Sequence, residues 1–501
     1  MLSVLIWLPI LGAAIIGFWP SGDIAPRYVR LGALTIAFLV FLWNLFLLLK
    51  FDISIPGMQL EEYLPWNETL GLSYQIGVDG LSVLMLVLNS LLTWIAIYSS
   101  SKVTERPRLF YSLILLISGG VAGAFLAQNL LLFFLFYELE LIPFYLLISI
   151  WGGPKRNYAA IKFLLYTAVS GILMLAAFLG IVWLTHSHSF VYDSFSTQTL
   201  SASTQFILLA GIVIAFGIKI PLVPFHTWLP DAYVEASSPV AILLGGVLAK
   251  LGTYGLLRFG MGMFPEAWAT IAPGLAIWGT ISVLYGAFAA IAQIDIKRMV
   301  AYSSIAHMGY VVLGCAAATP LALVGAVSQM VSHGLILAIL FHLVGVVETK
   351  VGTRELDKLN GLMNPIRGLP TIAALLILGG MASAGIPGLT GFIAEFIVFQ
   401  GSYATFPLAT LLCVVGTGLS AVYFVILLNR TCFGKLNNDT AYYAKVEWNE
   451  KIPAVILTVI IVFLGIQPTW LVRWSEQTTT AMVAFVPTPE KALTHVIALD
   501  Q

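Results

Sequence analysis

Residues 136–153 read FYELELIPFYLLISIWGG, and the way this stretch is understood decides the fold. It is apolar enough to lie in a bilayer, yet it carries Glu138, Glu140 and Pro143. A carboxylate at membrane depth is costly and survives where it faces protein or a hydrated path. The stretch therefore reads as a helix inside a bundle. The composition around it agrees, with 59% hydrophobic and 10% charged residues and a mean hydropathy of +0.95. Such a balance excludes a soluble globular domain. A span needs about 20 apolar residues to cross about 30 Å of hydrocarbon. That ruler predicts an all-α polytopic membrane protein with about 14 transmembrane helices, near 2–20, 31–49, 81–100, 109–127, 129–151, 162–185, 205–221, 239–258, 270–292, 299–317, 321–347, 369–386, 405–429 and 452–472. The first span lacks a cleavage site and reads as a retained helix.

Basic residues mark the cytoplasm-like side of a membrane protein. With the N-terminus on the opposite side, eighteen of the 24 Lys and Arg fall in inner loops, among them Lys297 and Arg298. Lys50, Arg258, Arg473 and Lys491 fall outside, and Lys219 and Lys250 remain within spans. Together with Glu138 on the fifth span and Glu395 near the twelfth, these two lysines are intramembrane ionisable groups. His307 and His333 come between them in sequence. The order acid, base, base, histidine, histidine, acid suits a proton relay, since each group can hold or release a proton as its neighbour's charge changes. The competing reading for each is a hydrogen-bonded structural anchor. His342, nine residues beyond His333, points to the opposite face of its helix and reads as structural. His186, His188 and His495 lie in loops or the tail without an evident role. Glu138 and Glu140 are two residues apart, a rotation of about 200° on a helix. One should look into the subunit and the other toward a neighbour, with Pro143 loosening the helix.

Two spans carry breaks. Residues 218–232, IKIPLVPFHTWLPDA, set Pro221, Pro224 and Pro230 beside Lys219. Residues 383–396, SAGIPGLTGFIAEF, set Gly385, Pro387, Gly388 and Gly391 ahead of Glu395. Unwound backbone at membrane depth persists only where it is buried or lines a polar cavity. Broken helices at matching places point to a transport site at inverted repeats. The expected organisation is 1–108 for the first three helices and an outer loop, 109–260 and 261–430 for two inverted five-helix repeats, and 431–501 for the last helix and tail. Segments 223–238 and 389–400 are too short to cross alone and read as second halves of broken spans. The outer segment 51–80 reads as a solvated loop, with contact to a neighbour as the alternative. Cys315, Cys413 and Cys432 are too scattered for a metal or cluster motif, and there is no phosphate-binding glycine loop. A net charge of +0 argues against nucleic acid.

Six segments carry a family likeness: 136–153 above, KIPLVPFHTWLPDAYVEA (219–236), LAKLGTYGLLRF (248–259), KRMVAYSSIAHMGY (297–310), SQMVSHGL (328–335) and GIPGLTGFIAEF (385–396). In this order they resemble the antiporter-like membrane subunits of respiratory complex I. The likeness is greatest to the subunit 4 branch of the photosynthetic NAD(P)H dehydrogenase-like complex of cyanobacteria and chloroplasts, to which ELELIP followed by WGG points. The resemblance implies proton pumping by Glu138, Lys219, Lys250 and Glu395 with His307 and His333 bridging, and Glu140 as a second acid. The mechanism expected is electrostatic, with Glu138 paired to Lys219 in one state and holding it protonated. The resemblance implies no cofactor on this chain, with plastoquinone and iron–sulfur clusters in partner subunits. The implied partners are other antiporter-like membrane subunits, a quinone-reducing arm and lipids, in a thylakoid membrane with the N-terminus lumenal. The run VEASSPVAILLGGVLAK (234–250) departs from the cyclic-flow form and favours a CO₂-uptake variant with a carbonic-anhydrase-like partner. Two other classes share parts of this pattern: a multisubunit cation/proton antiporter, and a haem-bearing cytochrome b type of subunit.

Overall fold

A computed structural model describes residues 1–18, 25–67, 69, 71–192, 197–435 and 443–487. Glu68, Lys491 and His495 lie outside the described residues. The helices are α1 (Ser3–Gly17), α2 (Pro26–Lys50), α3 (Gly80–Ser99), α4 (Pro107–Leu126), α5 (Leu130–Leu139), α6 (Leu141–Trp151), α7 (Arg156–Leu184), α8 (Ala202–Lys219), α9 (Trp228–Glu235) and α10 (Ser238–Met261). They continue with α11 (Pro265–Ile291), α12 (Ile296–Ala317), α13 (Pro320–Val351), α14 (Pro370–Ser383), α15 (Thr390–Tyr403), α16 (Pro407–Cys432), α17 (Trp448–Ile466), α18 (Thr469–Val472) and α19 (Glu476–Val483). Among the described residues twelve spans, one of them α5 and α6 together, are long and apolar enough to cross a membrane. The other two predicted spans correspond to the shorter helices Ser3–Gly17 and Pro370–Ser383.

Burial sorts the helices by their apolar coats. In α13, nearly every residue from Ala322 to Val347 is enclosed, so this long helix is the axis around which others pack. Helix α10 is enclosed along its length. By contrast α2, α7, α16 and α17 turn large apolar side chains outward, such as Leu49, Trp183, Val425 and Val459. In water such faces would be a liability, and in a bilayer they meet lipid chains at no cost. The protein is an integral multi-pass membrane protein on these grounds.

Three features differ from the sequence expectation. The segment 51–80 is not irregular: strands Gln59–Asn67 and Leu72–Val78 form an antiparallel hairpin, with Tyr63 opposite Gln75 and Leu64 opposite Tyr74. The fifth span is broken at Glu140, between α5 and α6. Pro143 explains the place, because a proline ring clashes with the carbonyl four residues earlier and cannot donate to it. That carbonyl belongs to Leu139, the last residue of α5. Glu140 itself keeps right-handed helical dihedrals (φ −79°, ψ −18°), so the rotation of about 200° expected between Glu138 and Glu140 still separates the two side chains. The eighth span is also irregular, with π-helical turns at Leu244–Leu248 and Leu256–Met261 on either side of Lys250.

Arg258, expected in an outer loop, is instead buried at the end of α10. It donates to Asp79 at 2.6 Å and packs over the rings of Tyr192 and Tyr254. Asp79 also caps α3, accepting from the amides of Leu81 and Ser82. Removing one partner of a buried pair strands the other's charge. Asp79→Ala should therefore destabilise the protein by about 3–5 kcal/mol, read as a lower thermal unfolding midpoint of the detergent-solubilised protein beside a wild-type control.

Candidate functional site

Helix α8 ends at Lys219 because Pro221 and Pro224 follow. The polar groups this break releases find side-chain partners. The carbonyl of Ile218 accepts from Trp228 Nε1 at 2.9 Å, and that of Val223 accepts from Trp278 Nε1. The amide of Val223 donates to Ser282 Oγ at 3.2 Å. An ammonium at a helix C-terminus meets the negative end of the dipole, which favours it there. Lys219 is fully buried. Its Nζ lies 2.7 Å from Glu140 Oε1 and 4.2 Å from the centroid of the Tyr137 ring. Tyr137 is fixed in turn through Ser170 Oγ at 3.0 Å, which donates to the Ala215 carbonyl at 2.8 Å.

The expected Glu138–Lys219 pair is thus replaced by Glu140–Lys219. Glu140, at the junction of α5 and α6, is the acid that points toward α8. Glu138 stays half-buried against α7, its Oε1 only 2.0 Å from where a Cβ on Gly171 would stand. A residue larger than glycine at 171 would displace that carboxylate.

A second cluster lies on α10, α12, α13 and α15. Lys250 donates to the Gly245 carbonyl at 2.5 Å and sits 2.8 Å from His333 Nδ1. Gly245 belongs to the first π-helical turn, where wider winding leaves main-chain carbonyls open to side chains. An ammonium donating to Nδ1 requires the histidine tautomer with its proton on Nε2. The rings of His333 and His307 are 5.5 Å apart between centroids. His307 Nε2 meets Ser383 Oγ at 3.0 Å. Its Nδ1 has two rival neighbours, Glu395 Oε1 at 3.3 Å and the Gln329 amide nitrogen at 3.4 Å. A neutral Nδ1 accepts from Gln329 and a protonated one donates to Glu395, so one ring holds two bonding states that differ by a proton.

The second break builds the far end of this cluster. Positive φ at Gly385 (+71°) and Gly388 (+90°) ends α14 and lets α15 begin at Thr390. Ser383 on one side of the break and Glu395 on the other then face His307. Glu395 Oε2 accepts from Thr417 Oγ at 2.8 Å, and Tyr310 OH lies 3.2 Å from the same Thr417 oxygen. Pro387 lies in the connecting turn, as Pro221 and Pro224 do in the first break.

Of the residues expected from sequence, Lys250, His333, His307 and Glu395 form one file, and Lys219 stands in a separate cluster with Glu140 and Glu138. Between the two, Gly252 on α10 packs against Ile220 and the Lys219 backbone. His342 is structural as expected, its Nε2 2.8 Å from the Glu450 carbonyl. His226 went unnoticed in the sequence: it is buried in the first break, its ring edge-on to Tyr285 at 4.7 Å, and Nδ1 is unpartnered. Its place inside a proline-rich break was the signal available.

A fold of broken, pi-turned helices enclosing two files of ionisable groups defines an ion-translocating membrane subunit. Residues 127–420 match the NADH:quinone oxidoreductase/Mrp antiporter transmembrane family, and the chain belongs to it. It is 41% identical over 494 residues to NAD(P)H-quinone oxidoreductase chain 4 1 of a Synechococcus species, covering 96% of this chain and 92% of that one. It is 42% identical over 443 residues to NAD(P)H-quinone oxidoreductase chain 4 2 of Microcystis aeruginosa, covering 86% and 79%. A chain of respiratory complex I from Thermus thermophilus superposes with a TM-score of 0.88 at 29% identity, over 97% of this chain and all of that one. A chain of the Mrp complex from a Dietzia species shares the fold, with a TM-score of 0.86 at 20% identity over 98% and 99%.

Because each charge of the Lys219–Glu140 pair is buried, the two single changes and the double change should differ. Lys219→Met and Glu140→Leu should each destabilise by about 3–5 kcal/mol, and the double variant by much less, since it leaves no unpaired charge. Thermal unfolding midpoints of the four solubilised proteins provide the cycle.

Proposed function

We propose that this chain is a proton-translocating membrane subunit of a multisubunit NAD(P)H-quinone oxidoreductase, driven by quinone reduction in partner subunits. The names of its cyanobacterial relatives support the complex. The observation that carries the translocating role is the file Lys250, His333, His307 and Glu395, enclosed at membrane depth with neighbours at hydrogen-bond or ring-contact distance.

The mechanism is electrostatic. Glu140 holds the Lys219 ammonium in place. When a charge in a neighbouring subunit draws on the acidic pair at Glu138 and Glu140, Lys219 loses part of its compensation and the field on α10 changes. Lys250 then passes a proton to His333. His307 takes it, turns its Nδ1 from Gln329 to Glu395, and hands it on toward Thr417 and Tyr310. Moving one charge against 100 mV takes about 2.3 kcal/mol. The loss of one charge partner in a dry site is of that size or larger.

The distribution of basic residues supports an N-terminus on the lumenal side of a thylakoid-type membrane. Within the class, the sequence of 234–250 favours the CO₂-uptake form, with a carbonic-anhydrase-like subunit among the proteins that co-purify. The pumping role is tested with Lys250→Met and Glu395→Gln in the assembled complex. Each should lower the protons moved per quinone reduced at least threefold, measured with a pH-sensitive dye in sealed vesicles. Wild-type ratios in both would contradict the role.

A further inference from the structure

The file from Lys250 to Glu395 needs a supply of protons, and the Lys219 cluster makes no side-chain hydrogen bond to it among the described residues. Another lysine is better placed. Lys297, read from the sequence as an inner-loop residue, is buried at the start of α12 and only 2% exposed. Asp295 caps that helix by accepting from the Lys297 amide at 2.8 Å, which turns the side chain inward. Its Nζ donates to the Ala236 carbonyl at 2.6 Å.

The charged neighbours of Lys297 have other partners. Arg354 binds Asp295 at 3.1 Å and Glu348 at 3.1 Å. Glu235 accepts from the Lys155 amide at 2.8 Å. Lys297 is therefore a buried ammonium without a carboxylate within ion-pair distance among the described residues, next to a rim that attracts protons. An ammonium has three protons to donate, and the carbonyl takes one.

Hydroxyl groups lead from it toward Lys250. Ser304 is seven residues along α12 on the same face, about 10 Å deeper. It is buried, with its hydroxyl beside Tyr233. The Tyr233 hydroxyl donates to the Leu244 carbonyl at 3.0 Å, and its ring packs next to Gly245, whose carbonyl holds Lys250. Further buried hydroxyls without a partner, Ser328 and Ser332, lie on α13 with His333.

We infer that Lys297 is the inner collecting group of this subunit, feeding protons through Ser304 and Tyr233 to Lys250. Lys219 and its two carboxylates then set the field and do not carry the proton. This rests on the translocating role proposed above and names the entry to the same file. In each passage Lys297 gives one proton inward and regains one from the inner aqueous side, so charge balances.

The test uses the whole complex in sealed native-membrane vesicles, with protons counted per quinone reduced. Lys297→Met should lower the ratio at least threefold. Lys297→Arg keeps the charge and a donor for Ala236 but gives up no proton, so it should lose pumping equally while assembling normally. A wild-type ratio in Lys297→Arg would make the residue structural and overturn the inference. If neither variant assembles, Ser304→Ala and Tyr233→Phe decide: a loss of twofold or more supports the route, and a wild-type ratio in both overturns it. Lys250→Met run alongside separates the two readings. Loss there with none at Lys297 sinks only the entry route, whereas no loss at Lys250 sinks the translocating role itself.

Discussion

The rest of the molecule depends on keeping the Lys219 ammonium paired with Glu140 in a dry interior. Charging two groups away from water costs several kcal/mol per ion, and only good geometry recovers it. Here that geometry needs two interrupted helices. The break after Lys219 places the ammonium at a helix end, and Glu140, at the junction of α5 and α6, meets it at 2.7 Å. The break after Lys219 could not stand in lipid, and Trp228, Trp278 and Ser282 take up its released backbone groups. The architecture of a central α13 and an outer ring of lipid-facing helices follows from enclosing such sites.

Function grows from the same constraint. A paired charge that is easily unpaired is a sensitive transducer, because in a medium of low polarity a small displacement changes the energy of nearby protons by amounts that decide where they sit. The second cluster is built to respond. Its histidine has two bonding states at Nδ1, its lysine is held by a π-helical carbonyl and a neutral ring nitrogen, and its glutamate is held by a threonine hydroxyl. One cluster holds an ion pair that sets the field and the other a movable proton, and close backbone packing at Gly252 keeps them adjacent.

Much of this was legible in the sequence, for physical reasons. Hydropathy marks spans directly, since lipid demands about 20 apolar residues, and twelve of the predicted spans correspond to described helices long enough to cross. The two breaks were visible because proline and glycine act locally. Lys250, His307, His333 and Glu395 stood out because ionisable groups are rare at that depth. What was not legible depends on direction and partner choice. The wheel separates Glu138 from Glu140 but does not say which of them faces α8, so Glu140 as the mate of Lys219 required the packing of the neighbouring helices. Arg258 and Lys297 looked like loop residues because span ends are uncertain by a turn, and one turn separates a solvated lysine from a buried one. The hairpin at 59–78 was hidden by its length and mixed polarity.

The central claim is that Glu140, and not Glu138, carries the charge that balances Lys219. Infrared difference spectroscopy of the assembled complex at neutral pH tests it most directly, by comparing wild type with Glu140→Gln. The account predicts that the substitution removes the stretch of an ionised carboxylate. Loss of a protonated carboxylic acid band instead, or an unchanged carboxylate region, would contradict it.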